Sequence, residues 1–217
     1  VASIALAFFL GVVLGNVLLG IPLDENFNYA GGSFFEFLNP YAILVGLTTL
    51  ALFMMHGAIY LLLKTEGKLY EKLNRLLKNG LIFFIVSFIV TSFYTLLYIP
   101  HLSDTFRNNP SLFAVPVLVF LSIANLPRLA SKKQFGWAFF FSSLTISLLL
   151  VLVAIELYPT LLFSPVNPEN SITVYNAASS TNSLKNMMII VAIGTPLVLS
   201  YTFFVYKTFA GKVELDE

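Results

Sequence analysis

Six uninterrupted apolar runs, at about 2–19, 41–63, 80–99, 111–127, 135–158 and 184–206, constrain this chain more than any other feature. Each is long enough, as a helix, to cross a hydrocarbon core of about 30 Å. A closed barrel is the other way to span a bilayer, but its strands alternate in polarity and are half as long. The expected fold class is therefore an all-α integral membrane protein, a polytopic helical bundle with six transmembrane helices in one domain over residues 1–217. Composition agrees: 58% of residues are hydrophobic and 11% charged, against ~25% charged in soluble domains. There is no cysteine, which removes thiolate metal sites and thiol chemistry, and a net charge of +1 supplies no basic face for nucleic acid.

The connectors alternate in charge. Residues 20–40 and 100–110 carry Asp24, Glu25, Glu36 and Asp104 against Arg107, and 159–183 carries Glu169 with no Lys or Arg. Segments 64–78 and 128–134 hold Lys64, Lys68, Lys72, Arg75, Lys78, Arg128, Lys132 and Lys133, and the tail adds Lys207 and Lys212. The positive-inside rule then puts Val1 and the tail in the cytoplasm. Asn39-Pro40 and Asn109-Pro110 read as N-caps followed by proline at the first helical position, opening the second and fourth spans. Residues 66–79 place Leu69, Leu73, Leu76 and Leu77 opposite Lys68, Lys72 and Arg75, an amphipathic stretch expected along the cytoplasmic interface, as a lipid contact or a plain solvated connector. The opening run lacks a basic n-region and a cleavage site, so it reads as a membrane helix, in a chain expected to be cut from a longer one.

Ionisable groups inside spans are costly and so are the first candidates for function. His56 lies eight residues, about 12 Å of helix rise, before Lys64. Three readings stand open for it: a metal or haem ligand, which lacks an accompanying HxxH, ExxH or HExxH pair; a proton carrier; or a neutral ring hydrogen-bonded to a carbonyl or a neighbouring helix. Glu156, one turn before Pro159, reads as an interfacial carboxylate or a proton-path group. His56 and Glu156 are the two proton-path candidates; no catalytic, cofactor-binding or metal-ligating residue is assigned. The cluster 141–147 and Gly11, Gly15, Gly46 and Gly57 point to close packing and interhelical hydrogen bonds, and Asn16 and Asn125 to joins between helices. Pro116, Pro127 and Pro196 interrupt or border spans. A secondary transporter with a midplane site around Pro116, Pro196, His56 and Asn125 is thus an alternative function, weakened by the absence of an internal repeat. No phosphate loop, nucleophile–base spacing or metal-ligand set names a reaction.

The order of several segments goes further. Gly15-Asn16 with Leu18, Leu19, Gly20 and Pro22 comes first, then Asn39-Pro40, then Lys64-Thr65 with Gly67. Phe141-Ser142-Ser143-Leu144-Thr145 follows, then Ser171, Thr173, Ala177, Ser179 and Ser180, and last Tyr206, Gly211 and Lys212. This series, over nearly the whole chain, resembles subunit II of the cytochrome bd family of ubiquinol or menaquinol oxidases. The resemblance implies a non-haem subunit of a respiratory enzyme that reduces O2 to water, in a bacterial or archaeal cell membrane. It implies two haems b and one haem d in a partner, subunit I, which this chain scaffolds while shaping proton and oxygen access. A small accessory subunit, membrane lipids and a structural quinone are further partners it allows. On that template the chain corresponds to helices four to nine of nine, without the first three and their acidic proton-uptake positions. Asn176 stands where some members have aspartate, which removes a titratable group, and the position of His56 is polar but variable, which favours the hydrogen-bonded passenger.

Overall fold

The computed structural model describes residues 2–209 and 211; Val1 and Lys212, on which part of the orientation rests, lie outside the described residues. Seven α-helices follow in order: α1 (Ala2–Leu19), α2 (Pro40–Lys64), α3 (Gly67–Tyr98), α4 (Pro100–Asn108), α5 (Ala114–Ser131), α6 (Phe135–Leu157) and α7 (Thr181–Thr208). Six of them, with α5 extended by the 3-10 turn Pro110–Phe113, are long and apolar enough to cross a membrane. The six expected spans are present, with ends within a few residues of those read from the sequence except at α3.

Three local expectations are corrected. The amphipathic stretch 66–79 is no separate interfacial helix, because α3 runs unbroken from Gly67 to Tyr98. Its 32 residues, about 48 Å at the α-helical rise, overshoot the hydrocarbon core. Leu73 and Leu77 enter the main core while Leu69 and Leu76 stay exposed, so the leucine stripe divides between bundle and surface. The connector 100–110 is mostly the helix α4, started by Pro100 at its first turn. Asn109 precedes Pro110 as expected, but its side chain makes no capping bond, whereas Asn39 accepts the Ala42 amide at 2.8 Å.

Helices α2, α3, α5 and α6 enclose the main core, where Met55, Ile59, Leu77, Phe84, Val119, Leu126 and Ala138 are buried. Helix α1 lies against α2 along a seam of small residues. A methyl on Gly11 would sit 2.7 Å from the Gly46 Cα, and one on Gly15 2.7 Å from the Ala42 Cα. These glycines are where the backbones meet, the small-xxx-small arrangement that lets helices associate in lipid. Gly57 differs, with nothing within 4 Å of an added methyl. No residue of α7 is buried. Its C-terminal end is tied to α2, where Lys64 Nζ donates to the Phe209 and Gly211 carbonyls at 3.3 and 3.0 Å.

The acidic connectors gather at one end. A two-stranded antiparallel sheet, β1 (Thr160–Leu162) and β2 (Ile172–Thr173), pairs Thr160 with Thr173 and Leu162 with Ile172 across a register irregularity. The Ile21 amide donates to the Phe163 carbonyl at 2.8 Å, and the Leu23 amide to Ser164 Oγ at 3.2 Å. His101 Nε2 donates to the Leu18 carbonyl at 3.0 Å. Connectors 20–40, 100–110 and 159–183 thus share one end of the bundle, as alternating spans require, and the Lys64–α7 tie marks the other.

Candidate functional site

Polar links to α2 and to α5 hold α6 in the bundle. His56 on α2 places Nδ1 2.8 Å from Ser142 Oγ on α6. The Ser142 hydroxyl is also within hydrogen-bond distance of the Phe139 carbonyl, at 2.9 Å. The ring stacks on Phe139, centroids 4.9 Å apart. One turn further along α6, Thr145 Oγ1 lies 2.8 Å from Ser122 Oγ on α5, and both residues are buried. The cluster 141–147 therefore joins α6 to α2 through Ser142 and to α5 through Thr145, the cross-helix bonding its composition suggests.

Asn16 closes a second network. Its amide donates to the Val12 and Phe37 carbonyls, both at 2.8 Å, while its Oδ1 accepts from Asn39 Nδ2 at 2.9 Å. One buried amide thus fixes α1, the 3-10 turn Phe34–Leu38 and the start of α2. In the connector 20–40, Asp24 Oδ1 accepts the Asn26 and Asn28 amides at 2.8 Å each. The Asn28 amide is the main cause that holds its carboxyl below the ordinary range. Glu36 Oε2 accepts the Gly32 amide at 2.9 Å and the Tyr29 hydroxyl at 3.1 Å, and these contacts, the amide first, lower its pKa as well.

Glu156 sits in the last turn of α6 and lines a cavity of about 490 Å³ between α3, α5 and α6 beneath α4. Its Oε2 is buried and has no hydrogen-bond partner. Ser92 and Thr95 are the other polar residues of the wall. The Thr95 hydroxyl is already engaged, 3.1 Å from that of Tyr41 and donating to the Thr91 carbonyl at 2.9 Å. Sequence reasoning singled out Glu156 but missed the wall: Phe106 and Leu102 reach it from α4, a helix whose short amphipathic pattern, framed by Pro100 and Pro110, was the available signal. His101 was missed too; its ring stacks on Phe163, centroids 4.7 Å apart.

The structure does not bring the transporter residues together. Pro116 lines the cavity, but His56, Asn125 and Pro196 do not, and Pro196 lies on α7, away from any core. Among the described residues no group of three or more His, Cys, Asp or Glu is gathered. A haem needs an axial donor facing an open space. The cavity beside Glu156 has no histidine in its wall, and each histidine ring is stacked on a phenylalanine. The described residues do not fit a haem.

Comparison with known proteins gives one consistent result. Residues 1–209 match the profile of cytochrome bd terminal oxidase subunit II. The "Probable cytochrome oxidase subunit 2" of Haemophilus influenzae is 28% identical over 97% of this chain and 63% of its own length. The "Cytochrome bd-I ubiquinol oxidase subunit 2" of Escherichia coli K12 is 26% identical over 96% and 62%. "Cytochrome bd ubiquinol oxidase subunit 2" of Bacillus subtilis is 27% identical over 97% and 61%. The fold matches a chain of the bd oxidase structure from Geobacillus thermodenitrificans with a TM-score of 0.66 at 18% identity, covering 96% of this chain and 62% of that one. The chain spans about three fifths of the length of these relatives.

Proposed function

This chain belongs to the family of cytochrome bd terminal oxidase subunit II, and from that premise we propose that it is the non-haem subunit of a membrane quinol:O2 oxidoreductase. The family match over residues 1–209 carries the reading. The partner it scaffolds is the haem-bearing subunit I, with two haems b and one haem d, and the quinol is oxidised on the assembled complex. The chain works as one multi-pass transmembrane domain, its basic end cytoplasmic by the positive-inside rule. No haem chemistry is assigned to the residues described above. Their part is to hold a rigid bundle against the partner and to shape proton and oxygen access.

Of the two proton-path candidates, Glu156 is the better placed. It borders a cavity and has an unsatisfied oxygen, whereas His56 Nδ1 is engaged in a hydrogen bond with Ser142 Oγ. His56 is an interhelical strut whose hydrogen bond fixes α2 to α6. The test is a reduced-minus-oxidised visible spectrum of the complex purified through a tag on the full-length chain. Bands of haem b and haem d are expected; a featureless spectrum from an intact, monodisperse preparation refutes the oxidase reading.

A further inference from the structure

The cavity beside Glu156 is polarised along the helix axes. Glu156 and Thr95 lie in the last turns of α6 and α3, beside α4, with the Phe106–Phe113 aromatic pair (centroids 5.5 Å apart) at the same end. Phe88 is seven residues before Thr95, about 10 Å deeper. There it packs edge-on to Phe120, centroids 5.5 Å apart, and Val119 and Leu152 complete an apolar floor. One end of this space is thus interfacial and holds a carboxyl group, and the other is hydrocarbon.

Among the described residues, no counter-charge meets the carboxyl group in the wall. Among the described residues of the wall there is no Lys, Arg or His, and Glu156 Oε2 is buried without a donor. A buried acceptor left unmade is costly, and an ionised one more so, unless a donor reaches it from outside the chain. Phenylalanine rings present their negative faces to a cation, so the aromatic pair beside Glu156 adds to the same preference. Quinone carbonyls are acceptors and do not meet this need.

We propose that this cavity is a lipid site that takes the primary ammonium head of an aminophospholipid at Glu156 and one of its acyl chains along Phe88, Val119 and Phe120. The polar head then lies at the level of α4, where phosphate and glycerol reach interfacial water, and the chain replaces empty space between α3 and α5. The site does not depend on the oxidase reading, because every group that forms it belongs to this chain.

The test uses the full-length chain with whatever partner co-purifies, in nanodiscs of dioleoyl lipids, with retained lipid counted by native mass spectrometry. Phosphatidylethanolamine is compared with phosphatidylcholine, which has the same chains and phosphate but no N–H donor, and with phosphatidylglycerol. Loss of a charge-assisted hydrogen bond predicts about tenfold weaker retention of phosphatidylcholine. Glu156→Gln should abolish the preference, Leu152→Trp should exclude both lipids, and Glu169→Gln should change neither. Equal retention of the two lipids by the unaltered protein, an undiminished preference in Glu156→Gln, or a quinone displacing phosphatidylethanolamine would overturn the proposal. If Leu152→Trp fails to fold, Glu156→Gln alone decides. Absent haem bands would refute the oxidase reading while leaving lipid retention measurable.

Discussion

Replacing Gly11 by alanine tests the α1–α2 seam in a way whose size can be worked out. The new Cβ would stand 2.7 Å from the Gly46 Cα and 2.6 Å from Thr49 Oγ1. Carbon atoms prefer about 3.5–4.0 Å, so the two backbones must part by about 1 Å. No side-chain rotation relieves a contact with a Cα. Forced overpacking of this kind costs about 1–3 kcal/mol. Thr49 must also move, which breaks its 2.9 Å bond to the Val45 carbonyl and adds about 1 kcal/mol. The helix-propensity gain of alanine over glycine, about 1 kcal/mol, works in the other direction. Gly57→Ala isolates that gain, since nothing lies within 4 Å of its added methyl. With propensity cancelled between the two variants, Gly11→Ala should be less stable than Gly57→Ala by about 2–4 kcal/mol. Titration of both variants with sodium dodecyl sulfate, followed by circular dichroism, reads the difference. A gap below about 0.5 kcal/mol would mean that the seam adjusts freely and that the close approach is not a constraint.

Two further outcomes can be checked on the same protein. His56→Ala leaves Ser142 without its partner on α2 and the Phe139 ring without its stacking partner, so stability should fall by about 1–2 kcal/mol; haem content of the purified complex should be unchanged, and loss of one haem band in an assembled complex would contradict the strut. The depressed pKa of Glu36 makes the contacts to Gly32 and Tyr29 present above the ordinary carboxylate range and lost as pH falls through its lowered value; hydrogen exchange at the Gly32 amide should accelerate on acidification once the intrinsic pH dependence is removed, and Glu36→Gln should flatten that response.

The spans were legible because a bilayer accepts so few solutions: a run of some twenty apolar residues without charge has to be a helix, whatever its neighbours. The cap at Asn39 was legible for a local reason as well, since it and Ala42 are three residues apart. The continuity of α3 was hidden because Lys68, Lys72, Arg75 and Lys78 mark a charged boundary that the backbone simply crosses. Glycine content pointed to close packing, yet Gly11 and Gly57 look alike in sequence and differ entirely in what surrounds them. His56 and Ser142 are separated by 86 residues, and no periodicity links such a pair; the same holds for Glu156 and the α4 residues that wall its cavity. Local physics reached a six-helix membrane protein with two ionisable groups of interest. The family came from the order of short motifs, a kind of information that hydropathy does not contain.

The bond from the Leu23 amide to Ser164 Oγ joins residues 141 positions apart. At about 5–20 residues per second, the ribosome makes Ser164 about 7–28 s after Leu23. Throughout that interval the segment following α1 must wait for β1 and β2 to be made. This end of the bundle therefore closes only after α6 is complete, and the opposite end waits longer still, until Phe209 and Gly211 are made and reach Lys64.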